Sequence, residues 1–279
     1  MDLKKVISLK DFFHKADDFS KKIHDLNCRP KNGSGVLYRG QADSSWPLET
    51  TLERYSEDCI SFSKYFNFLQ KLNLPALDFL KSMTPGSFKH DFDNIDKDIL
   101  SAFAYVRHIG GPSPLLDWTK DIDVALFFAF NNVPDAVKYV SVFVYICGCL
   151  PGHGIASIPR VPLIRTVSHE EVNELLTHQN HLLQKSQYSY CIFGGGSSDV
   201  VFAPHEERFR IAKENNAFNG ADLCVKFELP IHLRQDVFEY LKGRGVSEYC
   251  LFGTDGAYAR TKWVELFGAK KTINQKNLK

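Results

Sequence analysis

Between charged positions, Phe12, Ala16, Phe19, Ile23 and Leu26 recur at steps of four and three, the stripe of an amphipathic helix that buries one face. Such a helix is expected to lie as a lid on the rest of the chain. Pro30 and the Asn-Gly-Ser-Gly run from Asn32 then mark a loop, and Val36 to Tyr38 read as the first strand. Helical patterning follows over Ile60 to Leu80, with a break near Pro75, and over Ile95 to His108, which stops at Gly110-Gly111-Pro112. Leu115 to Thr119 predicts a short strand. Val124 to Phe130 is apolar on every side, as expected of a helix buried at the centre of a domain.

Val140 to Ile146 is rich in β-branched and aromatic residues and predicts a central strand. Beyond the Gly- and Pro-dense stretch from Pro151 to Pro162, the pattern predicts a helix at Glu170 to Leu183 and strands at Val200 to Phe202 and Leu223 to Leu229. A helix at Gln235 to Lys242, a strand at Tyr249 to Phe252 and a helix at Ala257 to Phe267 complete it. Strands and helices mix without strict alternation, which favours an α+β fold: a mixed central sheet of short strands with surrounding helices. The expected organisation is an N-terminal helix and loop over residues 1–35, one main domain over 36–263, and a basic tail over 264–279.

Composition narrows the class. A chain of 279 residues with 44% apolar and 24% charged residues is ordinary globular material, long enough to bury roughly three quarters of its unfolded surface. A net charge of +1 supplies no whole-molecule field for nucleic acid or an anionic membrane. Seven scattered cysteines without a C-x-x-C pair argue against a disulfide framework and a zinc ribbon. His178 and His181 lack a matching third ligand, so no metal site is expected. The start, MDLKKVISLKDFF, has no unbroken apolar core of a secretion signal, and the run from Ile122 to Phe130 is broken at Asp123 and short of the ~20 residues a bilayer requires. A cytoplasmic location is expected.

Three stretches carry candidate chemistry. In "VLYRGQ", Arg39 ends an apolar strand, where a guanidinium fork can meet a phosphate or carboxylate, and Gly40 admits a close approach. The plainer reading ties Arg39 to a carboxylate at the core edge. In "HIGGPSPLLDWT", strand alternation puts Asp117 and Thr119 on one face and Trp118 on the other. In "VVFAPHEERFRIAKENNAF", Glu206, Glu207, Arg208, Arg210 and Glu214 gather around a strand and its exit. No phosphate loop, nucleophile elbow, dinucleotide fingerprint or kinase set is present.

Together these stretches resemble the FRG domain family, named for a Phe-Arg-Gly motif. Tyr38 stands in the phenylalanine position of "LYRGQADSSWPLETTLERY". His108, Gly110, Pro112 and the run Leu115-Leu116-Asp117-Trp118-Thr119 match the family's central block, and "RIAKENNAF" and "LFGTDGAYAR" its later ones. Ser113, Glu214, Asn216 and Gly253-Thr254 depart from the family pattern. A more distant resemblance links the order of these motifs to ADP-ribosyltransferases. It implies an NAD-consuming enzyme, a toxin or an anti-phage effector, with NAD as substrate and a macromolecular acceptor of unknown identity. In that reading Arg39, Gly40, Gln41 and His108 hold the nucleotide, with Arg39 on the diphosphate. Thr119 braces Arg39, and the catalytic set is Glu214, Thr119 and Asp117, with Asp199 as the other choice of acid. The alternative is a non-catalytic module that recognises a nucleotide-like small molecule or a protein partner through the same pocket.

Overall fold

The computed structural model describes residues 1–22, 35–56, 58–83, 95–147, 162–168, 171–172, 183–194, 200–215, 222–254, 257–258 and 262. In chain order these build β1 (Asp2–Lys5), α1 (Leu9–Ser20), β2 (Val36–Gln41), α2 (Thr51–Tyr55) and α3 (Phe62–Lys71), then a 3₁₀ helix at Pro75–Ser82 and α4 (Lys97–His108). They continue as β3 (Leu116–Thr119), α5 (Ile122–Phe130), β4 (Tyr139–Ile146), β5 (Leu163–Ser168), β6 (Ser186–Phe193), β7 (Val201–Phe202) and α6 (His205–Asn215). The last are β8 (Leu223–Pro230), a 3₁₀ turn at Ile231–Leu233, α7 (Arg234–Gly243) and α8 (Glu248–Phe252). All eight strands join one sheet in the order β1-β8-β4-β2-β3-β6-β5, with β7 also on β6. β1 runs parallel to β8 and the other pairs are antiparallel. The fold is α+β.

Register decides what each face carries. Tyr38 and Gly40 lie opposite Val144 and Val142, so these four share a face. Here α1, α5 and α7 pack on the sheet around Phe12, Val124, Phe227 and Val237. On the β3–β6 side of that same face, Asp117 lies opposite Tyr188, and Tyr188, Tyr190 and Ile192 pack with α3, α4 and the first 3₁₀ helix around Tyr65, Phe103 and Phe202. The other face carries Leu37, Trp118, Phe143 and Tyr145 under Phe209 of α6. Two helical layers thus cover one face side by side, and they meet above the seam between β2 and β3.

That seam is where the sheet parts. β2 pairs with β4 at six positions but with β3 only through Tyr38 and Thr119. On the β2 side, α5 sits hard against the strand, because a Cβ on Gly40 would stand 2.0 Å from the Ala125 carbonyl oxygen and 2.6 Å from the Ala129 nitrogen. A helix backbone, and not a ligand, is what requires glycine at this position.

The N-terminal segment enters the same core. Ser8 caps α1 by accepting from the Asp11 N–H, and Phe12 meets the Phe227 ring edge-on. The expected helix ends earlier here, at Ser20, and Ile23 and Leu26 lie outside the described residues. The break near Pro75 is observed, with α3 on one side and the 3₁₀ helix on the other.

Two expectations are corrected. Tyr249 to Phe252 is helical, not a strand: the Ser247 hydroxyl accepts from the Cys250 N–H at its start and Gly253, at φ 59°, ends it. The charge cluster from Glu206 to Glu214 rides on α6 and not on a strand exit. The helices expected at Glu170 to Leu183 and Ala257 to Phe267 fall mostly outside the described residues, as does the basic tail. No helix among the described residues is long and apolar enough to cross a membrane.

Candidate functional site

Above the parted seam lies a cleft of about 470 Å³, within the range of small-molecule sites. Its floor is Tyr38, Arg39 and Gly40 of β2 with Asp117 and Thr119 of β3, and α5 contributes Ala125 and Phe128 to one wall. Arg107 and His108, from the end of α4, form the facing wall with Tyr188 of β6, while Arg54 and Trp46 stand at the rim. Helix α4 ends there because Gly110 takes φ 79°, a conformation that glycine adopts without strain. The Gly111 N–H then returns to the Val106 carbonyl. The following loop is tied down through Ser113, whose hydroxyl donates to the Phe103 carbonyl and whose N–H bonds Thr51.

At the centre is a charge triad. The Arg107 Nη2 lies 2.5 Å from Asp117 Oδ2, and the Arg39 Nη1 donates to the Asp117 carbonyl at 2.7 Å while standing 3.8 Å from the same Oδ2. Arg39 projects to the face opposite Tyr38 and Thr119 by strand alternation, and the parted strands give its guanidinium room to reach Asp117. Burial lowers the Arg39 pKa to about 10, with Asp117 opposing the drop and Arg107 and Arg54 adding to it. Burial alone would raise the Asp117 carboxyl, but Arg107 and Arg39 outweigh it and hold the group below its ordinary value. Both residues are charged at neutral pH.

The expected binding residues therefore converge: Arg39, Gly40, Gln41 and His108 all line the cleft, together with Asp117 and Thr119. Gln41 donates to the Pro47 carbonyl, and its Oε1 is buried without a partner. His108 Nε2 is 3.2 Å from the Tyr188 hydroxyl. Thr119 does not brace Arg39. Its hydroxyl donates to the Gln184 carbonyl and accepts from the Asp121 N–H, since pairing with Tyr38 turns it to the face away from the Arg39 stem.

Glu214, expected as the acid, does not line the cleft. It sits on α6 one turn from Arg210, whose Nη1 it holds at 2.5 Å in an exposed ion pair, the usual fate of i,i+4 opposite charges on a helix. Asp199 lies outside the described residues. The expected acid set is thus reduced, among the described lining residues, to Asp117.

Two cationic contributors have no site role in the sequence reading: Arg54, which matches the family's first segment, and Arg107. Arg107 immediately precedes the singled-out His108, and Arg54 falls in the "LETTLERY" stretch; both are ordinary surface-helix residues until the fold turns them to one cleft. Three arginines against one aspartate leave two positive charges over in the lining, and the Nε atoms of Arg39 and Arg107 are buried without hydrogen-bond partners. Guanidinium groups gathered in this way have the donors and the charge to hold an anion with several oxygens. No group of histidines, cysteines and carboxylates suited to a metal ion occurs among the described residues.

Beneath the cleft the other face is polar but closed. The Trp118 indole N–H donates to Ser189 Oγ at 2.7 Å, and that oxygen lies 2.9 Å from His205 Nε2. Burial, with the Arg39 charge adding to it, pushes His205 down to about 3, so it is neutral. Three residues further along α6, Arg208 is fully buried and bonds Asp222, which also accepts from the Tyr145 hydroxyl at 2.6 Å.

Residues 34–137 match the model of the FRG domain, a span that contains Arg39, Arg54, Arg107, His108, Asp117 and Thr119. No curated protein and no solved structure matches the chain.

Proposed function

We propose that the cleft binds a phosphate-bearing, nucleotide-like small molecule, with NAD as the first ligand to test, and that the chain acts by recognising it. One observation carries this reading: Arg39, Arg54 and Arg107 face one space against the single carboxylate of Asp117. A diphosphate supplies the negative charge and the oxygen acceptors that the surplus guanidinium charge in the lining calls for. Ligand binding would then be relayed to a partner by association.

A second reading, NAD consumption, is favoured by Asp117 itself. Its carboxylate is ionised and about a third exposed in the cleft, the property needed to stabilise positive charge as nicotinamide leaves. In this reading Asp117 takes the acid's role and Glu214 has none, and depletion of NAD would make the chain a toxin or a defence effector.

Calorimetric titration with NAD and an assay of nicotinamide release separate the two. Binding without release, abolished in Arg39→Ala, supports recognition. Release that is lost in Arg39→Ala and Asp117→Asn but kept in Glu214→Gln supports consumption. If NAD neither binds nor is consumed, Arg39 is a structural brace between β2 and β3.

A further inference from the structure

We infer that Trp46 is a base-stacking plate that makes the cleft select a nucleotide over a simple phosphate, an inference that rests on the phosphate-binding reading above. The two described tryptophans have opposite environments. Trp118 is 2% exposed, inside the core, whereas Trp46 is 44% exposed and lines the cleft mouth beside the arginines.

Its exposure is built into the fold. The loop from Ala42 to Thr50 is pinned on both sides of residue 46 by three strands and one helix. The Ser44 N–H donates to the Tyr139 carbonyl of β4, and the Trp46 N–H to the Asp43 carbonyl. Asp43 Oδ1 accepts from the Ser45 N–H, closing an Asx turn. From β8 the Lys226 ammonium bonds the Ser44 carbonyl and reaches the Trp46 carbonyl. Gln41 of β2 holds the Pro47 carbonyl, and Glu206 of α6 accepts from the Leu48 N–H.

A backbone fixed this firmly holds a large flat apolar ring in water at the edge of a cationic cleft. Such a ring gains most from another flat ring laid on it, and every nucleobase has one. Phosphate groups would meet Arg39 and Arg107 while the base covers the indole, so the two ends of one ligand are read by different chemistry. A ligand without a base uses only the arginines.

The test is titration of the full chain with ADP and with inorganic pyrophosphate, in the parent and in Trp46→Ala, Trp46→Phe and Arg107→Ala, with circular dichroism to check folding. The expected result is tighter binding of ADP than of pyrophosphate in the parent. Trp46→Ala should weaken ADP by about tenfold to a hundredfold and leave pyrophosphate within about twofold, and Trp46→Phe should restore most of the loss. ADP should also quench tryptophan emission in the parent and lose that quenching in Trp46→Phe. Parent protein that binds ADP no tighter than pyrophosphate, or a Trp46→Ala variant that weakens both equally, overturns the stacking role while Arg107→Ala still weakens both probes. Absence of binding by either probe, or binding indifferent to Arg107→Ala, overturns the phosphate site and the stacking role with it.

Discussion

The Arg107 guanidinium and the Asp117 carboxylate meet at 2.5 Å between α4 and β3, with the Arg39 Nη1 3.8 Å from the same carboxylate oxygen. Asp117 is thus the counter-charge that lets two arginines share one cleft. Removing its charge in Asp117→Asn should raise pyrophosphate affinity, because the arginines keep their charge and lose their internal competitor. It should also destabilise the fold by about 1–3 kcal/mol, less than for a fully buried pair because solvent reaches the carboxylate. The Asp117 pKa is held below 3.8 in the folded chain, so its contribution is complete above 3.8 and is lost as pH falls through the folded value. Urea titrations at neutral and strongly acid pH should show the variant's deficit at the first and its disappearance at the second.

Gly40→Ala should be among the most damaging small substitutions in the chain. The new methyl would meet the backbone of α5 at 2.0 and 2.6 Å, and backbone cannot swing aside as a side chain does. Overpacking of this kind costs about 3 kcal/mol or more, and the loss should register as a lowered urea midpoint or as insoluble protein. Retention of the parent midpoint would mean that α5 does not press on β2.

Arg208 and Asp222 form a buried ion pair that clamps α6 to the start of β8. Asp222→Asn or Arg208→Met should each cost about 3–5 kcal/mol, because each strands the opposite charge in the core. The double variant Arg208→Met with Asp222→Asn should be less destabilised than the two single losses combined, since neither charge is then left alone. A double-mutant cycle by urea denaturation measures the difference.

His205 supplies an acid limb of its own. The folded group takes a proton only at about 3, whereas the unfolded one does so at 6.5. Its share of stability is therefore complete above 6.5 and declines as pH falls from 6.5 toward 3, by at most about 1.4 kcal/mol per pH unit. Arg39 and Ser189 are the groups that face it. His205→Gln should flatten the stability profile between about pH 6.5 and about pH 5, and an unchanged slope would remove His205 as its source.

Much of the framework was legible along the chain because local patterning carries it. The all-apolar run at Val124 to Phe130, the β-rich run at Val140 to Ile146 and the stop at Gly110-Gly111-Pro112 each state their structure within a few residues, and the fold bears them out. Less was legible where partners are distant. β1 is four residues with two lysines, and only its pairing with β8 makes it a strand. In β6, Tyr188, Tyr190 and Ile192 alternate with Gln187, Ser189 and Cys191, a period-two strand signal that the expected elements do not include. The short run at Tyr249 to Phe252 misled because four apolar residues have no period, and the helix there comes from its Ser247 and Gly253 caps.

For the site, the sequence by itself determined the chemical kinds: a strand-end arginine, an aspartate after two leucines, a histidine at a helix end. Only the tertiary structure decided which of them meet. It brought Arg54 and Arg107 to Arg39 and left Glu214 in a pair with Arg210, because a guanidinium's partner is chosen by distance in space. The sheet parts after one β2–β3 pair, α5 presses on Gly40, and the cleft between the two helical layers follows from those contacts. Strand alternation shows which way a side chain points, and packing across the sheet determines what it finds there.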